Sequence, residues 1–129
     1  MIYLDSAAIV KLVHPETRSA DLATWLNTRT GVPLVSSALV EIEVPRAIRR
    51  SAPASLPGVP AALSRLVRLE IDANIRAAAA SLSDPRLRGL DAIHLATAIQ
   101  LGDRLEYFVT YDTRLRAHAE QSGLVVTSP

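Results

Sequence analysis

The chain has 129 residues, of which 49% are hydrophobic and 21% are charged, and its formal net charge at pH 7 is +1. This composition is typical of folded proteins rather than disordered ones, and the length suits one domain spanning residues 1–129. The sequence contains no cysteine, which excludes disulfide scaffolds, thiolate zinc sites, iron–sulfur clusters and cysteine nucleophiles.

The first half of the chain alternates short apolar runs with helix-like stretches. The predicted elements are a strand at Ile2–Leu4, helices at Ser6–Val13 and 21–30, a strand at 33–35, a helix capped by Ser36 or Ser37 and running to about Arg50, a loop at 51–60, a short helix at 61–66 and a strand at Val67–Leu69. The spacing of Leu22, Trp25 and Leu26 is that of one helical face. The loop is predicted because residues 51–60 contain three prolines and a glycine.

The second half continues the alternation. Its predicted elements are a helix at 72–82, a helix at 90–101, a strand at 107–110, a helix at Thr113–Gln121 and a strand at 124–127. Strands separated by helices of about ten residues favour parallel pairing through right-handed crossovers. The predicted fold class is therefore α/β, a three-layer α/β/α sandwich with a small central parallel sheet.

The beginning of the chain does not look like a secretion signal. It lacks a basic region, and Asp5 interrupts its short apolar stretch. No apolar run approaches the roughly 20 residues that span a bilayer. We therefore expect a cytoplasmic protein with no membrane segment.

Two aspartates follow predicted strands. Asp5 and Asp112 each lie at a strand-to-helix junction, at the carboxyl edge of the sheet, where ligands of such folds bind. Aspartate at this position is also a common helix N-cap, worth about 1 kcal/mol. The position alone therefore leaves both roles open.

Asp91 lies on a largely apolar helix face. Asp91, His94 and Leu95 have the i, i+3, i+4 spacing of one face, so the carboxylate points toward a surface that should be buried. A buried carboxylate without a partner is costly, unless the helix dipole stabilises it or a cation binds it. A lone histidine on such a face is more often structural than a ligand, and we interpret His94 in that way.

The predicted helix that ends near Arg50 carries two glutamates, Glu41 and Glu43, which lie roughly 200° apart around its axis. They cannot both point into one site, and periodicity does not choose between them. Arg46 and Arg50 lie on the side of Glu43, where they would pair with it or face a phosphate. Pro45 should kink this helix or lower its stability.

Carboxylates gathered on one edge repel one another unless some are protonated or a divalent cation neutralises them. An oxygen-only set suits Mg²⁺ or Mn²⁺ rather than structural zinc. Such a metal lowers the pKa of bound water and stabilises the attacking and leaving oxygens of phosphoryl chemistry. The pattern therefore favours a phosphodiester as substrate.

Four segments in order resemble the PIN-domain ribonucleases, and closely resemble the VapC toxins of bacterial type II toxin–antitoxin pairs. They are IYLDSAA at 2–8, EVPRAI at 43–48, LDAIHLATA at 90–98 and VTYDTRL at 109–115. The resemblance covers the chain end to end. Each motif is weak alone, the third being the most specific, and the ordered set is strong.

The resemblance implies a metal-dependent endoribonuclease that hydrolyses RNA with an acidic quartet, Asp5, Glu43, Asp91 and Asp112. Asp5 and Asp91 would bind Mg²⁺ or Mn²⁺ directly. Glu43 and Asp112 would bind the metal through water, or orient and deprotonate the attacking water. Pro45 departs from the family pattern, and Glu41 is the reserve candidate if Pro45 misplaces Glu43.

The resemblance also implies rim residues and partners. The hydroxyls of Ser6 and Thr110 would lie at the pocket rim. Arg46, Arg50 and Arg114 are candidates for binding RNA phosphates. A cognate VapB-type antitoxin would inhibit the chain by pointing an arginine at the acidic pocket, and the family is typically homodimeric.

Other functions fit less well or stay open. Haloacid-dehalogenase-type phosphatases need a second aspartate where Ala7 stands and a downstream lysine, whereas Lys11 is the only lysine. Receiver domains need adjacent acids after the first strand and a lysine after the last. A PIN-fold nuclease for DNA or for rRNA processing, and a PIN scaffold that binds RNA without cleaving it, remain alternatives.

Overall fold

The computed structural model describes residues 1–129, which form five strands, seven α-helices and two short 3₁₀ helices. The strands are β1 (Ile2–Leu4), β2 (Leu34–Ser37), β3 (Val67–Leu69), β4 (Tyr107–Val109) and β5 (Val126–Thr127). The α-helices are α1 (Ser6–Val13), α2 (Ser19–Asn27), α3 (Val40–Ser51), α4 (Val59–Ser64), α5 (Ala73–Ala80), α6 (Gly89–Ile99) and α7 (Thr113–Gln121). None of the helices has both the length and the apolar character needed to cross a membrane.

All five strands pair in parallel, in the order β3-β2-β1-β4-β5. Strand β1 lies at the centre, where Ile2 is opposite Leu34 of β2 and Tyr107 of β4. The chain builds outward from β1 to β3 on one side and then crosses to β4 and β5 on the other. The strand order therefore reverses on the two sides of β1, and this reversal creates a crevice at the carboxyl ends of β1 and β4.

Side chains of β1 alternate between the two faces of the sheet, as a strand requires. Ile2 and Leu4 belong to a buried cluster shared with helices α1 to α4. Tyr3 belongs to a second cluster on the opposite face, where its ring stacks on Phe108 at 5.1 Å and where α6 and α7 pack. The predicted three-layer α/β/α sandwich with a parallel central sheet is thereby confirmed.

Two local predictions are wrong. Residues 51–60 are not a loop, because a 3₁₀ helix spans Pro53–Gly58 and α4 begins at Val59. Proline is tolerated in the first turn of a helix, so the prolines start these elements rather than prevent them. The predicted serine cap is also absent, since Ser36 and Ser37 belong to β2 and Leu39 is the N-cap of α3 without a side-chain hydrogen bond.

Helix α3 runs unbroken across Pro45. Its Val44 and Ile48 are fully buried against α1 and α4, whereas Ile42 is 61% exposed. This buried stripe fixes the rotation of α3 about its axis, and hence the direction of the polar residues that flank the stripe.

Shortening Ile48 to alanine should lower the free energy of unfolding by about 2–5 kcal/mol, because it deletes buried methyl groups and leaves a cavity. Ile42→Ala on the same helix is the matched control and should change the stability by less than about 0.5 kcal/mol, because its side chain lies mostly in water. Urea unfolding followed by circular dichroism measures both values. Equal losses for the two variants would contradict the assigned rotation of α3.

Candidate active site

The candidate site lies where the carboxyl ends of β1 and β4 meet. Leu4 is opposite Val109 in the sheet, so the residues that follow them, Asp5 and Thr110, are neighbours. The backbone N–H of Asp5 extends the ladder by donating to the carbonyl of Val109 at 3.2 Å. The acidic residue after the first strand therefore lies at the crevice created by the reversal of strand order.

Asp5 is buried, with only 3% of its surface exposed, and both carboxylate oxygens accept hydrogen bonds. Oδ1 accepts from the backbone N–H of Ala8 at 2.8 Å and thereby caps α1, while Oδ2 accepts from the Thr110 hydroxyl at 2.5 Å. Burial raises the pKa of Asp5 above its ordinary value, although these two hydrogen bonds act in the opposite direction. Asp5 is thus both a helix cap and a carboxylate held in a low-dielectric setting.

Asp112 is joined to Asp5 through Thr110. The Thr110 hydroxyl oxygen accepts the backbone N–H of Asp112 at 3.1 Å while its proton goes to Asp5. Oδ1 of Asp112 accepts the backbone N–H groups of Arg114 and Leu115 at 2.8 and 2.9 Å, which caps α7. These contacts leave Oδ2 of Asp112 without a protein donor.

The structure brings Glu43, and not Glu41, to this edge. Oε2 of Glu43 accepts hydrogen bonds from the Ser6 hydroxyl and, at 2.8 Å, from Nε2 of His94. Partial burial raises the pKa of Glu43, but the hydrogen bonds from His94 and Ser6 outweigh burial, so its pKa lies below the ordinary value. Glu41 is exposed and pairs instead with Arg68 at 3.1 Å. Pro45 therefore does not misplace Glu43.

Asp91 lies in the first turn of α6 and is half-buried. No protein group donates a hydrogen bond to its carboxylate. Burial raises the pKa of Asp91, and repulsion from Asp112 raises it further; the nearby His94 and Arg88 act in the opposite direction. Asp91 is thus a carboxylate that the protein itself does not neutralise.

The four predicted acids act on one another electrostatically. Asp112 raises the pKa of both Asp5 and Asp91, and Glu43 also raises the pKa of Asp91. Like charges that disfavour one another's ionised forms in this way share one poorly screened region of the protein. No three Asp, Glu or His side chains, however, converge into a ready-made metal-binding cluster. The structure thus gathers the acidic quartet on one edge, while the roles of its members stay predictions.

The candidate RNA-binding arginines are exposed. Arg46, Arg50 and Arg114 take part in none of the salt bridges of the structure, and Glu43 is bound by Ser6 and His94 rather than by Arg46 or Arg50. Of the two options for Arg46 and Arg50, pairing with Glu43 is therefore wrong. Their guanidinium groups remain available to an external anion.

Two buried residues have larger roles than the sequence alone indicates. His94, interpreted from the sequence as a structural histidine, contacts Glu43 directly. Tyr3, which lies in the IYLDSAA segment but has no predicted role there, contacts His94 through its hydroxyl at 2.8 Å. The i, i+3 spacing of Asp91 and His94 is a signal that the histidine points toward the acidic edge. The position of Tyr3, two residues before Asp5 on the central strand, is a second signal.

Known proteins resemble this chain over its whole length. The PIN domain family matches residues 2–121. Ribonuclease VapC35 of Mycobacterium tuberculosis is 51% identical over 131 aligned positions, which cover 100% of this chain and 97% of that protein. Ribonuclease VapC46 of the same organism is 44% identical over 128 positions, covering 99% of this chain and 97% of the relative.

Solved structures show the same fold. Mycobacterium tuberculosis VapC20, described as a Sarcin-Ricin loop cleaving toxin, matches 100% of both chains with a TM-score of 0.77 and 14% identity. VapBC2 from Rickettsia felis, solved bound to a DNA fragment from its promoter, gives a TM-score of 0.71 at 16% identity over 99% of this chain and 98% of that one. The sequence relatives and the shared fold agree: the chain belongs to the PIN-domain family and, within it, to the VapC ribonucleases.

Proposed function

We propose that this chain is the toxin of a type II toxin–antitoxin pair and acts as an Mg²⁺- or Mn²⁺-dependent endoribonuclease. The observation that carries the proposal is the gathering of Asp5, Glu43, Asp91 and Asp112 on one sheet edge. These residues come from four distant segments of a chain that is 51% identical to Ribonuclease VapC35 over its whole length. Negative charge on such an edge suits a divalent cation, and a bound cation would in turn stabilise the charge on a reacting phosphodiester.

The donor set supports Mg²⁺ or Mn²⁺. It consists of carboxylate oxygens, and Asp91 and Oδ2 of Asp112 have no protein donor. Mg²⁺ commonly keeps several waters and is held by only one or two carboxylates, so it does not need a preformed cluster of three. Asp5 and Asp91 would hold it directly, and Glu43 and Asp112 through water. When bound, the metal would lower the pKa of a water and stabilise charge on phosphate oxygens.

The residues of the chain supply the positioning. Glu43 keeps its carboxylate ionised, and because Oε2 already accepts from Ser6 and His94, Oε1 is the oxygen left for an attacking water. Accepting a hydrogen bond from that water orients one lone pair of the water toward the phosphorus. Attack would form a new P–O bond as the ester P–O bond breaks. The proton that the water loses would pass to Oε1 of Glu43, and the leaving alkoxide would take up a proton from solvent water to become a ribose hydroxyl.

Exposed arginines on α3 and α7 would supply the phosphate contacts. Arg114 lies in the first turn of α7, two residues after Asp112, and lines a cleft of about 460 Å³ together with Arg86 and His118. Arg46 and Arg50 project from the last two turns of α3. Bidentate guanidinium–phosphate pairing suits these positions.

Neutralising Arg50 or Arg114 to glutamine should weaken RNA binding and reduce the slope of log K against log salt by about 0.7 for each phosphate that is no longer neutralised. The measurement is RNA binding by fluorescence anisotropy at several salt concentrations, in the cleavage-deficient Asp91→Asn background. Arg65→Gln is the matched control, because Arg65 precedes β3 at the opposite, amino end of the sheet. An Arg50→Gln chain with unchanged affinity and slope would remove Arg50 from the RNA-binding surface.

The same edge suits a VapB-type antitoxin. Two large exposed apolar side chains, Ile42 at 61% and Leu90 at 51%, each precede an acid of the quartet in the sequence. A partner that covers them and presents an arginine would bury apolar surface and neutralise the carboxylates together. We also propose that the chain forms a homodimer, and light scattering of the purified chain tests this directly.

The decisive experiment maps new RNA ends in cells after induced expression without antitoxin. The natural chain is compared with Asp91→Asn, and both are checked for solubility and fold. Growth arrest with a few discrete cleavage sites, lost in Asp91→Asn, is the expected result. No new ends from a folded natural chain would overturn the proposal and leave a DNA-directed or non-cleaving PIN protein.

A further inference from the structure

A buried chain of hydrogen bonds lies behind Glu43. The backbone N–H of Ser37 contacts the Tyr3 hydroxyl at 3.1 Å, that hydroxyl contacts Nδ1 of His94 at 2.8 Å, and Nε2 of His94 contacts Oε2 of Glu43 at 2.8 Å. Tyr3 and His94 are only 0% and 2% exposed. The chain thus connects the interior of strand β2 to a carboxylate of the acidic edge without passing through solvent.

The direction of these hydrogen bonds follows from the donors. The Ser37 N–H can only donate and the ionised Glu43 carboxylate can only accept, so the Tyr3 oxygen accepts from Ser37 and Nε2 of His94 donates to Glu43. A neutral imidazole then leaves Nδ1 to accept the Tyr3 proton. Burial raises the pKa of Tyr3 well above its ordinary value, so the phenol keeps that proton. In this arrangement Nδ1 is the acceptor, and the single proton of the neutral imidazole lies on Nε2, which faces Glu43.

Packing fixes the two rings. The Tyr3 ring stacks on Phe108 at 5.1 Å with planes 9° apart, and it meets the His94 ring edge-on at 5.9 Å. Neither ring can rotate unless the buried packing between α6 and the sheet is disrupted. The direction of the Nε2–H bond is therefore set by the core rather than by solvent.

We propose that His94 is a positioning residue for Glu43, oriented by Tyr3, and that the two hold the carboxylate with Oε2 pinned and Oε1 free for the attacking water. The inference rests on the proposed function. The hydrogen-bonded series Ser37–Tyr3–His94–Glu43 would thus take part in the reaction by orienting Glu43. Interior residues that hydrogen-bond to metal ligands have this role in other enzymes. The Ser6 hydroxyl also donates a hydrogen bond to Oε2.

The kinetic test compares His94→Leu with His94→Gln on a defined RNA. His94→Leu should lower kcat by roughly 10–100-fold while KM changes little, because the missing hydrogen bond orients Glu43 and does not touch RNA. His94→Gln should recover most of kcat, since its amide N–H reaches about the position of Nε2. His14→Gln is the matched control, because His14 contacts Ser55 and lies outside the chain of bonds. Unchanged kcat in His94→Leu, or no recovery in His94→Gln, overturns the proposal.

Tyr3→Phe tests the second member of the chain. It keeps the stack on Phe108 but removes the hydroxyl, and a smaller loss of kcat than in His94→Leu is expected, again at constant KM. Tyr107→Phe is the matched control, because Tyr107 lies on the neighbouring strand and packs edge-on against Trp25 through its ring. A loss of unfolding free energy in Tyr3→Phe without any loss of kcat would assign Tyr3 to stability alone.

A spectroscopic readout separates this inference from the proposed function. Nitrogen-15 spectra of histidine-labelled natural chain should show His94 protonated on Nε2 and bare on Nδ1. A proton on Nδ1 overturns the assigned direction of the bonds. If the natural chain does not cleave RNA, the proposed function fails while this measurement still decides the hydrogen-bond chain. If it cleaves RNA and the His94 variants match it, only the positioning role fails.

Discussion

Asp91→Asn should abolish RNA cleavage without destabilising the chain. Residues that merely orient a metal ligand already cost about 10–100-fold in activity when removed, so removing a ligand carboxylate should cost more than about 100-fold. At neutral pH in metal-free buffer, the midpoint of thermal unfolding should be unchanged or higher than in the natural chain. The reason is that burial and repulsion from Asp112 penalise the ionised form of Asp91 only in the folded state.

The pH dependence of that stability difference has a definite sign. The pKa of Asp91 is higher in the folded chain than in the unfolded one, so the natural chain loses stability relative to Asp91→Asn as pH rises through the folded pKa. The advantage of the variant should therefore be present at neutral pH and shrink toward acid, below the ordinary aspartate pKa of about 3.9.

Thermal unfolding between pH 3 and pH 8 measures this difference, and a cleavage assay on the same samples measures activity. Asp103→Asn is the matched control, since Asp103 is exposed on the 3₁₀ helix before β4 and should change neither property. A strongly destabilised Asp91→Asn chain would show that the carboxylate has a structural partner, and full activity would remove Asp91 from the quartet.

Removing divalent metal should reduce cleavage to background, and adding Mg²⁺ or Mn²⁺ should restore it. The physical reason is that four carboxylates on one edge repel one another, and no basic side chain of the protein pairs with Asp5, Asp91 or Asp112. Metal that binds only the folded chain should also stabilise it, by about 2.7 kcal/mol when the free ion is at 100 times Kd. Dialysis against EDTA, followed by thermal unfolding and cleavage with graded metal, measures both effects.

Asp5→Asn is the control for this prediction. Its amide oxygen can still accept the Ala8 N–H and keep the cap of α1, but the charge is removed. The variant should fold, and its unfolding midpoint should respond much less to metal than that of the natural chain. Undiminished cleavage by a metal-free natural chain would contradict the metal-dependent mechanism.

Much of the fold is predictable because the local sequence signals agree with the overall fold. Short apolar runs separated by helix-length segments, with Asp5 and Asp112 as caps, determine the parallel α/β class and most element boundaries. The segment 51–60 is misassigned from sequence because prolines both break helices and begin them. The local sequence does not say which occurs until Val59 and Leu63 are seen to pack in the core.

The site is predictable only as a set of carboxylates. The position of Asp5 and Asp112 at the sheet edge follows from elements and topology, whereas Asp91 is placed only on an apolar helix face and joins the set through the family resemblance. The choice of Glu43 over Glu41 depends on the family resemblance, since both flank the apolar stripe of α3. The role of His94 stays hidden because a hydrogen bond between residues 51 positions apart has no local pattern in the sequence.

The central placement of β1 has a consequence for when activity can arise during synthesis. A nascent chain that has reached β3 contains Asp5 and Glu43 but neither Asp91 nor Asp112. Asp5 then also lacks Thr110, because β4 has not yet been translated and docked beside β1. The acidic edge is therefore completed only late in translation, and under the proposed mechanism a partially made chain would not cleave the RNA around it.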